Sequence, residues 1–408
     1  MTGFDVAVVG AGPSGCAAAI EARRSGLRVV VLDRADFPRD KTCGDGLTAG
    51  ALRLLEHLGL ARDDVGARDR GYQRITEVSL RSPSGRIIEL PLPHRGDYAA
   101  VVSRCVLDSA LLDAARRAGA EVREQSAVED VTHVGDEVVL DTAGGDVRAP
   151  RVIAADGHWS TVRRIVRPGE PRRLGEWHAV RQYHRAVNTE RMWVFFERDL
   201  LPGYAWVFPL PNGQANVGYG VLRSQGRRGA ELKALWPALL ERASLRDVLG
   251  DAQPIEPVRA WPIPTRYDPR DLATGRVLFA GDAASMVDPM TGEGIAQALE
   301  TGMLAARAVA GGGDVGGRYR RSVQRTLGRD LRFAALLARV LARPLGARAA
   351  LRTVDSNEWT RRQFARWMFE DYPRAALFTP SRWRAIVATR PGAYASTLRG
   401  LATERATP

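Results

Sequence analysis

The chain opens on an apolar run, Asp5 to Val9, that breaks into Gly10-Ala11-Gly12-Pro13-Ser14-Gly15. An alanine-rich helical stretch follows from about Gly15 to Ser25, Gly26 closes it, and a second apolar run, Arg28 to Leu32, ends at Asp33. The pattern predicts a strand–helix–strand unit. Val106, Leu107, Ala110, Leu111, Ala114, Ala115 and Ala118 recur at helical spacing and predict a helix over 104–119. Val138 to Leu140 and Val152 to Ala155 read as further strands. From about 171 to 265 apolar and aromatic residues alternate with frequent proline and glycine, which predicts antiparallel strands. A buried strand returns at Arg276 to Ala280, followed by Gly281-Asp282 and a helix from Glu293 to Ala310 that Gly311-Gly312-Gly313 breaks. The remainder, from about 318, is arginine-rich and helical.

Composition bounds the possibilities without choosing among them. With 408 residues, 45% hydrophobic and 26% charged, the chain is an ordinary globular protein with room for two or three domains. The longest uncharged stretch, 200–222, is interrupted by Pro202, Pro209, Pro211, Asn212, Gln214 and Asn216, so no transmembrane helix is expected. Met1 to Phe4 run straight into the first strand without the charged start of a signal peptide, so the expected location is cytoplasmic. The net charge of +12 raises nucleic acid as a partner. However, every basic residue except Lys41 and Lys233 is arginine, a bias that points to nucleotide composition rather than a binding surface, and no nucleic-acid partner is expected. Cys16, Cys43 and Cys105 are too few and too scattered for a disulfide framework or a zinc site, and the six histidines lack ligand spacing, so no metal is expected.

The glycine turn gains its meaning from context. It follows a strand and opens a helix, and Asp33 closes the second strand 18 residues after Gly15. Gly10 permits the tight turn, Gly12 lets backbone approach a pyrophosphate, and Gly15 lets helix and strand pack closely. The helix N-terminus offers unpaired N–H groups to phosphate, and Asp33 would accept ribose hydroxyls.

Two more strand ends carry motifs. Ala155 is followed by Asp156-Gly157, and Ala280 by Gly281-Asp282-Ala283-Ala284 and then Pro289-Met290-Thr291-Gly292-Glu293-Gly294-Ile295. In this order and spacing the three motifs resemble the flavoprotein superfamily of para-hydroxybenzoate hydroxylase, which implies FAD. The resemblance implies that Asp282 holds the ribityl chain and that the loop ending at Gly292, Gly294 and Ile295 lies beside the flavin. It also matches Arg104 to an arginine near the cofactor; by itself Arg104 could equally be a surface arginine. The expected fold is α/β. A discontinuous Rossmann-type FAD-binding domain would comprise residues 1–75, 100–170 and 270–317. An inserted antiparallel β-sheet substrate domain would comprise 76–99 and 171–269, and a helical C-terminal region 318–408.

Pro38-Arg39-Asp40-Lys41-Thr42-Cys43-Gly44-Asp45-Gly46-Leu47 and Pro202-Gly203-Tyr204-Ala205-Trp206-Val207-Phe208-Pro209 narrow the resemblance to the geranylgeranyl reductase family, over roughly residues 4–310. That family uses FAD to reduce carbon–carbon double bonds, typically in isoprenoid chains, and its cysteine matching Cys43 lies near the flavin ring. Tyr204, Trp206 and Phe208 alternate along a strand and share one face. They could wall a pocket for an apolar substrate or form one side of a sheet core; the resemblance favours the pocket. The implied reaction is hydride transfer from reduced flavin to one alkene carbon, with protonation of the other by Cys43 or Tyr204, both of which hold their protons at neutral pH. NADPH or another reductant would supply the electrons. An FAD-dependent monooxygenase or oxidase of a natural-product substrate is the alternative. A flavin-dependent halogenase is a weaker one, suggested by Tyr204-Ala205-Trp206-Val207-Phe208-Pro209 but needing a catalytic lysine. Arginines between 318 and 352 alternate with Leu327, Leu331, Phe333, Leu336, Leu337, Val340 and Leu341 as in a basic amphipathic helix. Such a helix could make peripheral contact with an anionic membrane or cap the FAD domain. The oligomeric state is not legible.

Overall fold

The four strands Val6–Val9, Val29–Leu32, Val152–Ala154 and Val277–Phe279 are buried at every residue. Burial on both faces requires the continuous apolar runs seen in the sequence. The computed structural model describes residues 3–67, 71–171, 174–223, 229–369 and 391–395. In it these strands form the middle of a six-stranded sheet, with Ala273–Thr274 at one edge and Glu121–Arg123 at the other. All neighbours are parallel except the edge pair of Ala273–Thr274 with Val277–Phe279. The first helix, Pro13–Arg24, packs against Ile295–Ala310 so closely that a Cβ on Gly302 would lie 2.1 Å from the Ser14 carbonyl oxygen. That second helix starts at Ile295 rather than Glu293. Oδ1 of Asp288 accepts the N–H groups of Met290 and Thr291 at 3.0 and 2.8 Å, which keeps the preceding residues in a turn.

The second sheet has eight strands. Its order is Gln253–Pro254, Trp177–Arg185, Gln214–Leu222, Tyr204–Leu210, Met192–Phe195, Glu77–Arg81 and Ile87–Pro91, with Arg259–Ile263 also paired to Trp177–Arg185. It departs from the wholly antiparallel expectation at one place: Met192–Phe195 and Glu77–Arg81 run parallel. These two strands come from distant parts of the chain, so no hairpin forces them to be antiparallel. Ala205, Val207, Val217 and Tyr219 on one face meet Trp236 and Leu245 of the helices Gly229–Leu240 and Ala243–Leu249. The opposite face looks toward the first domain.

A small sheet of Gly46–Thr48, Ala99–Val102 and Tyr72–Ile75 lies between the two, at the base of the Cys43 loop. Three helices, Arg329–Leu341, Pro344–Val354 and Glu358–Phe369, follow. Val354 and Ala365 join a core cluster with Val78, Ile88 and Leu90 of the second sheet. Of the expected helical region 318–408, residues 370–390 and 396–408 lie outside the described residues.

Candidate active site

The glycine turn shows why each glycine is there. Gly10 has φ +100°, and a Cβ on it would sit 2.4 Å from the Ala155 carbonyl oxygen; a Cβ on Gly15 would sit 1.7 Å from that of Gly10. Gly12 differs. Its nearest neighbours to an added Cβ are guanidinium nitrogens of Arg39 and Arg104, at 3.6 and 3.8 Å. The helix behind it has no side-chain cap and no acidic residue in its first turn, and the hydroxyl of Ser14 is buried without a hydrogen-bond partner. Open space, first-turn N–H groups and two guanidinium groups together form an anion site of the size and charge a pyrophosphate needs.

Asp108 holds the two arginines. Arg104 donates to it through Nε and Nη2, both at 2.7 Å, and Arg39 approaches at 3.1 Å. Sequence reasoning missed Asp108 and Arg39, although the i,i+4 spacing from Arg104 to Asp108 was a readable signal. Arg104 is therefore buried in the turn, not on the surface. Asp33 accepts the N–H groups of Ala11 at 2.7 Å and Ala35 at 2.9 Å, which pins its carboxylate beside the turn with lone pairs to spare for hydroxyl donors. Asp156 accepts the Val162 N–H at 3.2 Å through Oδ2, while its Oδ1 is buried and unpartnered. Asp282 pairs with Lys41 at 3.4 Å. Gly281, Gly292, Gly294 and Ile295 line the same groove. The guanidinium groups and first-turn N–H groups fit the phosphates of a flavin dinucleotide, and the carboxylates fit its hydroxyls.

The groove and its continuation past Cys43 form one cavity of about 1100 Å³. The Cys43 loop is tied to the second sheet by Asp40, which takes a bidentate pair from Arg181 at 2.8 and 2.7 Å. Arg181 is fully buried in that sheet, pairs also with Glu256, and lies over the Tyr183 ring at 4.1 Å. Burial pushes the Cys43 thiol up against the opposing pull of Arg104, so it stays protonated at neutral pH.

Asp45, two residues on, was not singled out from the sequence. It is 0% exposed and occupies the left-handed region at φ 63°. Its Oδ2 accepts from Tyr183 O–H at 2.6 Å and Asn216 Nδ2 at 2.8 Å, and its Oδ1 has no partner. Burial outweighs these hydrogen bonds and lifts the carboxyl to about 6.

Tyr204, Trp206 and Phe208 line the cavity, with successive ring centroids 6.0 and 5.9 Å apart, while Ala205 and Val207 between them face the core. Gly44 and Gly46 lie against Phe208, so the Cys43 loop and the aromatic face touch. Trp206 Nε1 donates to Asn216 Oδ1 at 2.9 Å, and Tyr204 O–H donates to the backbone carbonyl of Thr291. Burial raises the Tyr204 phenol further. Its proton is thus engaged with the loop before Ile295.

The C-terminal helices line the far end of the cavity. Phe333, Leu337 and Leu341 come from the first, Leu351 and Val354 from the second, and Phe364 from the third. The region that carries no diagnostic motif supplies one wall of the site.

Residues 3–311 match the family described as FAD binding domain. The chain is 36% identical over 363 residues to a menaquinone reductase of Mycolicibacterium smegmatis, covering 84% of this chain and 86% of that one. It is 32% identical over 317 residues to digeranylgeranylglycerophospholipid reductase 2 of Methanopyrus kandleri, covering 75% and 77%. Among solved structures, a geranylgeranyl bacteriochlorophyll reductase-like protein from Thermoplasma acidophilum superposes with a TM-score of 0.73 at 25% identity, over 83% of this chain and 87% of that one.

Proposed function

Because this chain belongs to the geranylgeranyl reductase family of FAD-dependent oxidoreductases, we propose that it reduces a carbon–carbon double bond in the isoprenoid chain of a prenylated quinone or lipid. The observation that carries this reading is the cavity. It leads from the dinucleotide turn, past Cys43 and the Tyr204–Phe208 face, into an apolar end lined by Phe333, Leu337, Leu341, Val354 and Phe364. A long hydrocarbon chain gains by leaving water for such a wall, at about 25 cal/mol per Å² buried.

Arg39, Arg104 and the first turn of Pro13–Arg24 would hold the pyrophosphate of FAD, Asp33 the ribose, and Asp282 the ribityl chain. Bound and reduced by NADPH or another donor, FAD supplies the hydride. The protein's own contributions are orientation, water exclusion and a proton. The aromatic face fixes the substrate plane, and the helices Arg329–Leu341 and Pro344–Val354 line the apolar end. For the proton, Cys43 is a neutral thiol in the cavity wall, and Asp45 is a carboxyl whose burial makes it a reservoir near neutral pH. Lys41, the lysine that a halogenase reading would need here, is paired with Asp282 and lies over Trp261 at 5.5 Å.

The test is anaerobic. Protein reduced with dithionite is mixed with a menaquinone, geranylgeranyl diphosphate or a prenylated lipid, and flavin absorbance is followed. Reoxidation without oxygen, with a product heavier by two hydrogens in its isoprenoid chain, is the expected result. Flavin that recovers only when oxygen is admitted would replace this reading with the monooxygenase or oxidase one.

A further inference from the structure

The helix Arg329–Leu341 carries four kinds of surface in sequence around its axis. Successive residues rotate by about 100°. Leu331, Ala334 and Ala338 are buried against the protein; turning further, Phe333, Leu337 and Leu341 line the cavity. Next come Leu336 and Val340, exposed at 57% and 47%, and beyond them Arg332 and Arg339, also exposed. From Phe333 onward the apolar stripe passes from the cavity wall to the outside of the molecule, while in the first turn Arg329 and Asp330 occupy those same two faces.

Neighbouring residues extend the outer part of that stripe. The backbone at Gly346 packs on Val340, which sets Leu345, 78% exposed, at the same turn. Trp359, at the start of the third helix, is 68% exposed. Among the described residues, these two and Leu336 are the three most exposed large hydrophobic side chains.

Charge selects the occupant. Across the two helices and the link between them, 329–354, there are six arginines, Arg329, Arg332, Arg339, Arg343, Arg348 and Arg352, all exposed, against one acid, Asp330. Apolar side chains flanked by an excess of arginines suit the boundary between lipid headgroups and acyl chains, with the guanidinium groups on anionic headgroups. Among the described residues no helix is long and apolar enough to cross a membrane, so the contact is with one surface.

We propose that the outer face of the helices Arg329–Leu341 and Pro344–Val354, through Leu336, Val340, Leu345 and the adjacent arginines, seats the protein on an anionic lipid bilayer, with the cavity wall Leu337–Leu341 facing the site where a lipid tail enters. Binding itself does not depend on the proposed reaction; only the identity of the tail rests on that reading.

The experiment is co-sedimentation of the FAD-loaded protein with phosphatidylcholine vesicles, with and without phosphatidylglycerol, at low and high salt. Wild-type protein should sediment with the anionic vesicles and be released by salt. Two variants should bind more weakly: Leu336→Ser/Val340→Ser/Leu345→Ser by at least about tenfold through the loss of buried apolar surface, and Arg339→Gln/Arg343→Gln/Arg348→Gln by about a hundredfold, since each arginine near such a surface contributes about 1 kcal/mol. FAD content and melting temperature, unchanged in both, exclude misfolding. Wild-type protein left in the supernatant at low salt would overturn the proposal, as would variants that bind like wild type. So would self-association of the wild type that the serine variant abolishes, because the face would then belong to a second copy of the chain. The two proposals fail separately: sedimentation needs no substrate, and the anaerobic reoxidation can be run with substrate dispersed in detergent.

Discussion

The Tyr183 hydroxyl donates 2.6 Å to Oδ2 of Asp45, and Asn216 donates to that same oxygen at 2.8 Å, so the other carboxyl oxygen is buried with no partner. One carboxylate oxygen is satisfied twice and the other not at all, which is why burial prevails and the carboxyl rises from 3.8 to about 6. The folded chain then holds this proton more tightly than the unfolded chain. Its stability is greatest with Asp45 protonated and falls as pH rises from about 4 through about 6, by roughly 2 to 3 kcal/mol in all. Asn at position 45 can keep both accepted hydrogen bonds without the charge. Asp45→Asn should therefore be more stable than wild type by denaturant unfolding at about pH 7.5, with the gap closing toward about pH 4.

The same group allows a test of proton delivery. Asp45→Asn and Cys43→Ala should each slow substrate-dependent flavin reoxidation by roughly a hundredfold, within the usual range for loss of a general acid. Tyr204→Phe should cost much less, because its proton is engaged by the Thr291 carbonyl. If Asp45 is the donor, the wild-type rate falls as pH rises above about 6, and the Asn variant loses that dependence. Stopped-flow absorbance across pH separates the three variants.

Asp108, fully buried, compensates two guanidinium groups. Asp108→Ala leaves Arg104 buried without its counter-charge, a change that typically costs about 3–5 kcal/mol. The expected result is a lower melting temperature and protein purified with little FAD, read from the ratio of flavin to protein absorbance.

Gly12 and Gly15 should respond differently to one methyl group. At Gly15 an added Cβ meets the Gly10 carbonyl oxygen at 1.7 Å, so Gly15→Ala should fail to fold or lose several kcal/mol. At Gly12 nothing lies within 3.6 Å of the added Cβ and the backbone is extended with φ −77°. Gly12→Ala should fold with its apoprotein stability changed by less than about 1 kcal/mol, yet bind FAD far more weakly, because the methyl takes the space of the phosphates. Thermal unfolding of the apoproteins with flavin titration checks both halves.

Leu337→Trp fills the apolar end of the cavity. Turnover of substrates with long isoprenoid chains should fall by roughly tenfold or more in kcat/KM, equivalent to about 1.4 kcal/mol, while a short prenyl substrate is little affected. Equal losses for both lengths would show that the tail does not reach this helix.

What was legible in the chain is what local sterics and periodicity dictate. The strand at Val6–Val9, the turn at Gly10–Gly15, the helix after it and the acid at Asp33 lie within a few turns of one another. Their pattern is readable because the spacing of apolar residues, glycines and the acid is local in the sequence. The order of the Asp156, Asp282 and Gly292–Ile295 motifs carried the cofactor in the same way, through resemblance. Tertiary packing alone decided the rest. Asp45 meets Tyr183 across 138 residues and Asn216 across 171, and Tyr204 meets Thr291 across 87. The parallel pairing of Met192–Phe195 with Glu77–Arg81 likewise joins distant segments. The basic amphipathic pattern after 318 was consistent with both a cap and a membrane face. Only the rotation of the helix Arg329–Leu341 on the cavity shows which apolar side chains turn inward and which remain outside. No spacing rule encodes such contacts, because long-range burial and charge pairing depend on which surfaces meet, and that is settled by the whole core at once.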